Sequence, residues 1–487
     1  MAEHTHSAGA TDDHPHDACG VVGVYLPQPE SDASRIAFFA LYALQHRGQE
    51  SAGIAASDGR TLRNFTNSGL VSNAFRQEDL ERLPGHIAIG HTRYSTTGSN
   101  HVRNAQPLVS KSPEIELALG HNGNVINAKE LRDELAEWGV QCTTGTDSEV
   151  IAHMLAWAPG RNWGERTAYL MRNLKGAYSL VVATKDTLVG IRDPHGVRPL
   201  CLGRLPSGGW VIASESAALD HIGAQFVREF EAGETVVIDR EGVTSIPSPV
   251  KEPRKAHCVF EHIYFARPDS ILDGELTHMA RSRMGMRLAE EHPVEADLVI
   301  PVPDSANSAA LGYAYQSGVP FGYGLIKNRY VGRTFIEPDQ RFRDLGVRNK
   351  FNPLPEVLSG KRIIVVDDSI VRGTTTPRII AMLRKAGAAE IHVRICAPPI
   401  QNPCHFGVDM ASRAELIAAN HSVEEIRQII DADSLGYLSV EGLQASVNGD
   451  ATGKDYCNAC FTGNYPIPVQ LELDKLALER VNVASAD

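Results

Sequence analysis

Lys361-Arg-Ile-Ile-Val-Val-Asp-Asp-Ser-Ile-Val-Arg-Gly-Thr-Thr-Thr376 reads as a strand, an acidic turn, a loop of hydroxyls and glycine, and the start of a helix. Ile363 to Val366 is a short β-branched run, as expected of a strand buried on both faces of a parallel sheet. Pro377 suits a first helical turn, Ile379, Ile380, Leu383 and Ala386 repeat at helical spacing, and Gly387 is a natural stop. The loop therefore lies where a strand's carboxyl end meets a helix's amino end. Unpaired N–H groups and the positive end of the helix dipole converge there, which suits a phosphate. Thr374, Thr375 and Thr376 add hydroxyl donors, and Gly373 lets the backbone approach closely. Asp367 and Asp368 would repel a phosphate directly. They fit if they hold ribose hydroxyls or a Mg²⁺ between themselves and the phosphates. The plain alternative is that Asp-Asp-Ser is only a helix-capping turn, the better reading of a lone Asp-Ser pair.

The full string is more specific than its parts. It resembles the phosphoribosyl pyrophosphate (PRPP) loop of type I phosphoribosyltransferases. That resemblance implies PRPP contacts from Asp367, Asp368, Ser369, Arg372, Gly373, Thr374 and Thr375.

The remainder of the chain sets bounds. Its 487 residues predict two to four domains, and 43% hydrophobic with 22% charged residues is ordinary for a globular protein. A net charge of -12 argues against non-specific nucleic-acid binding. No apolar run approaches the roughly 20 residues of a membrane span, and the polar, His-rich start is no secretory signal. Eight cysteines, not clustered as a disulfide framework, predict a cytoplasmic chain with reduced thiols.

Residues 1–18 offer little to bury and read as a leader; their histidines could bind metal, but a flexible segment fits them better. Cys19-Gly-Val-Val-Gly-Val-Tyr25 then switches to strand-like residues. Four polar clusters follow regular elements: Gln45-His-Arg-Gly-Gln-Glu-Ser51, His91-Thr-Arg-Tyr-Ser-Thr-Thr-Gly98, His121-Asn-Gly-Asn124 and Thr146-Asp-Ser-Glu149. Singly each is weak, because turns use such residues anyway. In this order they resemble the glutamine amidotransferase domain of the N-terminal nucleophile hydrolases, over about 19–250. The resemblance implies a propeptide at 1–18 whose removal makes Cys19 the first residue. Its own α-amino group, with a pKa near 8, can then activate the thiol as nucleophile. The same resemblance casts Asn122 and Gly123 as oxyanion donors. It places Arg93 against the α-carboxylate of glutamine, Asp147 against its α-ammonium, and Arg47 and Gly48 in the first glutamine-pocket loop. Surface salt bridging is the plain alternative for Arg93 and Asp147. Strand-like stretches at 177–183, 187–191, 210–214 and 235–238 fit a four-layer αββα sandwich, with 245–253 as linker.

In the second half, Asp297-Leu-Val-Ile-Pro-Val-Pro-Asp-Ser-Ala306 is another strand opening into a loop, with Asn307 able to cap the next helix. The phosphoribosyltransferase resemblance places Asp304 at PRPP and Ser305, Asp367 and Asp368 around Mg²⁺; a serine, a weak ligand, could act through water. The long basic stretch 327–350, with Lys327 and Arg333, has no regular period. It reads as a lid over pyrophosphate or as a solvated loop; its likeness to the family's flexible loop favours the lid. Cys457-Asn-Ala-Cys460 suits zinc, redox chemistry or an Fe–S cluster, and spacing does not choose. Together with Cys258 and Cys404 it matches the ligands of a 4Fe–4S cluster in one subclass of the resembled family, with a structural role. Cys142, Cys201 and Cys396 read as core residues.

Both halves together resemble the glutamine PRPP amidotransferase family, from Cys19 to about Pro466. The implied fold class is α/β: an N-terminal four-layer αββα sandwich (19–250), a type I phosphoribosyltransferase parallel-sheet domain with its cysteine-bearing end (258–466), and a tail (467–487). The implied activity is ammonia from glutamine delivered internally to C1 of PRPP, the first committed step of purine synthesis. Purine nucleotides as feedback inhibitors and a homotetramer are also implied. Glucosamine-6-phosphate synthase shares the first half but should lack Val365-Val-Asp-Asp-Ser369. A non-catalytic PRPP or nucleotide sensor is the rival of another class, opposed by the intact Cys19, Asn122, Gly123, Asp367 and Asp368.

Overall fold

The structure is a computed structural model. It describes residues 16–17, 19–28, 32–94, 101–251, 254–328, 350–410, 412–449, 455–469 and 478. Arg333 and nearly all of the basic stretch 327–350 lie outside the described residues.

Two antiparallel sheets build the first half. One has seven strands, with Gly20–Tyr25 between Trp210–Ala213 and Ile87–Arg93. The other has six, with Glu116–Val125 between Leu108–Lys111 and Gly176–Ala183. Their strands are too apolar for one-sided burial: all six positions of Gly20–Tyr25 and all eight of Gly176–Ala183 are buried. Each sheet therefore needs cover on both faces. Val21, Ile89, Val181, Leu188 and Val236 fill the space between the sheets. Helix Ala33–Ala43 covers the outside of the first sheet, and helices Ala128–Glu137, Asp147–Trp157 and Trp163–Asn173 cover the second. The result is the expected αββα sandwich.

The second half is built on a parallel sheet of four strands, in the order Leu298–Pro301, Arg362–Asp367, Glu390–Ile395, Ser434–Tyr437. Helices Thr277–Glu291 and Asn307–Ser317 pack against each other on its flank, backbone to backbone. A Cβ at Gly285 would lie 1.8 Å from the Ala309 carbonyl oxygen, and one at Gly312 would lie 1.9 Å from that of Ser282. Asn307 is the first helical residue and Ala306 the cap, so Asn307 does not cap as expected; its Oδ1 is buried without a partner.

Three further departures concern placement. His121–Asn124 and His91–Arg93 lie inside strands Glu116–Val125 and Ile87–Arg93, not beyond their ends. Ser245 and Ile246, read as linker, belong to strand Gly242–Ile246 and pair with Val236 and Thr235. Leu478, read as tail, is buried against the helix carrying Leu131, and its carbonyl accepts from Arg132 Nη1 at 2.6 Å. His16–Asp17 of the leader pairs antiparallel with Val408–Asp409 of the second half.

The halves join through buried charge. Arg47 pairs with Glu215 and, at 2.5 Å, with Glu261; Arg198 lies 2.9 Å from Glu261, and all four side chains are solvent-free. Ser270 Oγ donates to Glu215 at 2.6 Å. Burial opposes ionisation of both carboxylates, but Arg47, with His46 beside Glu215 and Arg198 beside Glu261, outweighs it and holds both below the usual range. Carboxylates lowered in the folded state stabilise it above their unfolded pKa of about 4.3 and lose that contribution as pH falls. Glu261→Ala removes a carboxylate shared by two buried guanidiniums, and we expect a loss of about 3–5 kcal/mol. Urea unfolding of the parent and the variant checks it. A difference below about 1 kcal/mol would mean the junction carries no such dependence.

Candidate active site

Two sites emerge, one per half. The first surrounds Cys19, which immediately precedes the central strand of the seven-stranded sheet and is 5% exposed. Its φ is +70°, a left-handed conformation that costs a non-glycine residue about 1 kcal/mol or more. The neighbours hold it there. Gly20 N–H donates to Thr92 Oγ1 at 3.2 Å and Val21 N–H to Ser214 Oγ at 3.0 Å. The thiol lies 3.6 Å from the Tyr94 carbonyl oxygen.

Cys19 shares a small pocket with Arg93, Tyr94, Gln106, His121, Gly123, Thr146, Asp147 and Ser148. Arg93 comes from the adjacent strand Ile87–Arg93, and Asp147 opens a helix whose cap is Thr146. The pocket so offers a nucleophile, a cation and an anion, the set an α-amino acid substrate needs. Gly48 is pressed on the strand that carries Arg93: a Cβ there would lie 2.6 Å from the Thr92 carbonyl carbon. Arg47 is directed elsewhere, into the junction network with Glu215 and Glu261.

Asn122 is fully buried, and neither its Oδ1 nor its Nδ2 has a hydrogen-bond partner. An amide left unmade in the interior is costly, so a ligand oxygen at Nδ2 would be stabilised. Gly123 adopts φ +147°, and a Cβ there would lie 2.0 Å from the Ala177 carbonyl oxygen; no other residue fits. A buried relay holds this wall. Gln106 Oε1 accepts from His121 N–H at 2.8 Å, and Gln106 Nε2 donates to Ser148 Oγ at 3.0 Å. His91 Nε2 donates to the His121 carbonyl oxygen at 3.0 Å, and burial pushes its pKa down to about 3, so it stays neutral. Gln106 carried no signal in the sequence, because an isolated glutamine before a proline marks nothing.

The second site lies at the carboxyl ends of neighbouring parallel strands, Leu298–Pro301 and Arg362–Asp367. Asp367 and Asp368 are 3% and 1% exposed. Asp367 Oδ1 accepts from Asp368 N–H at 2.9 Å, and Asp368 Oδ1 from Ser369 Oγ at 2.6 Å. Arg281, buried and bound to the carbonyls of His262 and Ala266, faces Asp368 as a positive charge. Gly373 turns at φ +69° ahead of helix Thr376–Lys385, with Thr375 as cap. Arg372 lies 3.8 Å from Glu415. Across the crevice, Lys327 Nζ is 3.1 Å from Asp304 Oδ2, beside the half-buried Ser305. Strands Leu325–Lys327 and Phe351–Pro353 pair antiparallel and bring the two ends of the basic stretch together.

Four cysteines meet where the halves join. Cys258 is the register partner of Cys457 on adjacent parallel strands. Burial, and after it the neighbouring thiols including Cys404, raise the pKa of Cys258, Cys457 and Cys460, so the four lie close together. Asn124 Nδ2 of the first site donates to the His405 carbonyl oxygen at 2.9 Å, and Arg198 Nη2 to that of Gly407 at 2.5 Å. The segment bearing Cys404 thus touches the wall of the first pocket. Cys201 and Cys396 are buried, as core cysteines should be; Cys142 is partly exposed, with burial pushing its thiol up to about 11.

Comparison with known proteins agrees with both halves. The family model for a glutamine amidotransferase domain matches residues 91–221. An amidophosphoribosyltransferase of Synechocystis sp. is 50% identical, across 96% of this chain and 95% of the relative. One of Archaeoglobus fulgidus is 50% identical across 93% of this chain and 98% of the relative. Among solved structures, the allosteric regulatory enzyme of purine biosynthesis superposes with a TM-score of 0.88 at 44% identity, covering 95% of this chain and 99% of the other. Glutamine PRPP amidotransferase from B. subtilis, solved with ADP and GMP, gives a TM-score of 0.87 at 44% identity, covering 94% and 99%.

Proposed function

The chain belongs to the amidophosphoribosyltransferase family, and from that premise we propose which of its residues carry each half of the reaction. The enzyme converts glutamine, PRPP and water to 5-phosphoribosylamine, glutamate and pyrophosphate, the committed step of purine synthesis.

Cys19 is the nucleophile. In the translated chain its nitrogen is an amide, so the leader 1–18 must be cut for it to become an amine and accept the thiol proton. The thiolate attacks the glutamine side-chain carbonyl, the C–N bond breaks, and the amine's proton leaves with ammonia. Water then hydrolyses the thioester to glutamate. Asn122 Nδ2 and the Gly123 N–H receive the oxyanion, Arg93 the α-carboxylate and Asp147 the α-ammonium. The observation that carries this reading is the single pocket shared by Cys19, Arg93, Gly123 and Asp147. For Arg47 the surroundings favour a role at the domain junction, while Gly48 supports the pocket from beneath Arg93.

In the second half, Asp367 and Asp368 hold the ribose side of PRPP, and the loop from Ser369 through Arg372, Gly373, Thr374 and Thr375 receives its 5-phosphate. Two adjacent buried carboxylates repel each other and favour a cation between them and the substrate. Asp367, Asp368 and Ser305 would hold Mg²⁺, which when bound neutralises the departing pyrophosphate. Asp304 and Lys327 approach the pyrophosphate across the crevice, and Arg333, outside the described residues, is proposed to bind PRPP as well. Ammonia passes from one site to the other inside the protein.

Cys258, Cys404, Cys457 and Cys460 fit a 4Fe–4S cluster. Their thiols gather at the junction, with Cys258 and Cys457 register partners, and a set of four thiolates suits an Fe–S cluster. The cluster would brace the segment that touches the glutamine pocket. Cys457→Ser is therefore expected to remove iron and sulfide together; iron content equal to the parent would exclude the assignment.

Purine nucleotides as feedback inhibitors, a homotetramer and a cytoplasmic location complete the proposal; no helix among the described residues is long and apolar enough to cross a membrane. The direct test supplies leader-free protein with glutamine, PRPP and Mg²⁺ and measures products. Glutamate and pyrophosphate released in equal amounts support the reading. PRPP binding without turnover would favour the sensor.

A further inference from the structure

We propose that His257, His262 and Asp273, with Glu229 beside them, form a second metal site of this protein, for a zinc-class divalent cation distinct from the cysteine set. One ligand atom from each of the first three lies within 4.8 Å of the others, the only such group among the described residues. His257 Nδ1 is 2.6 Å from Asp273 Oδ2, and His262 Nε2 is 3.6 Å from the same oxygen.

Local sequence explains the placement. His257 precedes Cys258 on a short strand paired with Tyr456–Cys457. His262 lies in the helical turn Glu261–Phe265. Asp273-Gly274 is the two-residue turn of the hairpin Ile271–Leu272/Glu275–Leu276, with φ +51° and +75°, the positive pair such a turn needs. Glu229 ends strand Gln225–Glu229 of the first half, and its Oε2 accepts from Gly274 N–H at 3.2 Å. The site thus draws on both halves of the chain.

A buried His257–Asp273 pair is the simpler alternative, but it leaves too much unsatisfied. His262 has no solvent exposure, its Nδ1 has no hydrogen-bond partner and its Nε2 has only the 3.6 Å contact to Asp273; Glu229 Oε1 is also buried without a partner. Arg192 faces Glu229, but its guanidinium is held by the carbonyls of Gly196, Arg198 and Phe230. Two imidazoles and one carboxylate, with the Glu229 carboxylate held next to them through Gly274, suit a borderline divalent cation. Binding would exchange the His257–Asp273 hydrogen bond for two metal bonds, open that contact to the roughly 3.3 Å edge of a tetrahedron, and release the shared proton to solvent. The ion would clamp the first half to the hairpin of the second.

The test uses the full protein, purified anaerobically and titrated with Zn²⁺ and, separately, Co²⁺. We expect about one zinc per chain in addition to iron, and cobalt absorption without sulfur-to-metal charge transfer. His262→Gln and Asp273→Asn should each weaken zinc at least about 10-fold with iron unchanged, while Cys457→Ser keeps zinc. Asp273→Asn, at a partly exposed turn, serves should the buried His262→Gln not fold. A parent that binds neither ion, or zinc lost in Cys457→Ser but kept in both other variants, overturns the proposal.

Discussion

Cys19→Ala will lose glutamine-dependent synthesis by at least roughly 10⁴-fold while ammonia-dependent synthesis stays within about twofold of the parent. The asymmetry follows from the geometry. Cys19 immediately precedes the central strand of the seven-stranded sheet, and its pocket mates all come from the first half. Removing one sulfur leaves a small void there, and nothing among the residues around Asp367 changes. Ammonia supplied from solution bypasses the first site and meets an intact second one. Steady-state pyrophosphate release, with glutamine in one assay and ammonium in the other, measures both numbers. Glutaminase activity persisting in the variant would remove Cys19 from the nucleophile's role.

Asp367→Ala has the opposite signature: both nitrogen sources should fail, by roughly 10³-fold or more. The change opens the turn between strand Arg362–Asp367 and its loop, because Asp367 also accepts the Asp368 N–H. Asp367→Asn, which keeps the shape and removes the charge, separates the two effects. If charge is what matters, the asparagine variant will be folded, inactive with either nitrogen source, and weak in PRPP binding. Near-normal ammonia-dependent turnover in both variants would refute the assignment.

The elements were legible wherever one physical signal dominated. Strand Arg362–Asp367 was set by Ile363 to Val366, and helix Thr376–Lys385 by Pro377 and its apolar repeat. Placement within elements was harder. His121–Asn124 looks like a turn because Asn and Gly favour turns, yet it runs inside a strand whose neighbour Gly176–Ala183 supplies the ladder bonds. Propensity describes a residue's own preference, and pairing with a distant strand overrides it. Arg47 shows the same limit for chemistry. Its motif pointed to the glutamine pocket, but Glu215 and Glu261 lie 168 and 214 residues away in sequence and capture it.

By itself the sequence determined many single strands and helices, the acidic loop and the order of the polar clusters, because periodicity and β-branching act over a few neighbouring residues, and the two half-folds followed from the family resemblance those motifs carry. Tertiary structure alone decided which side chains share a pocket. It set Gln106 behind His121, turned Arg47 toward the domain junction, and brought His257, His262 and Asp273 together beside Glu229. Those encounters depend on packing between segments far apart in the chain, where burial makes each unpaired charge or hydrogen-bonding group costly and so selects its partner.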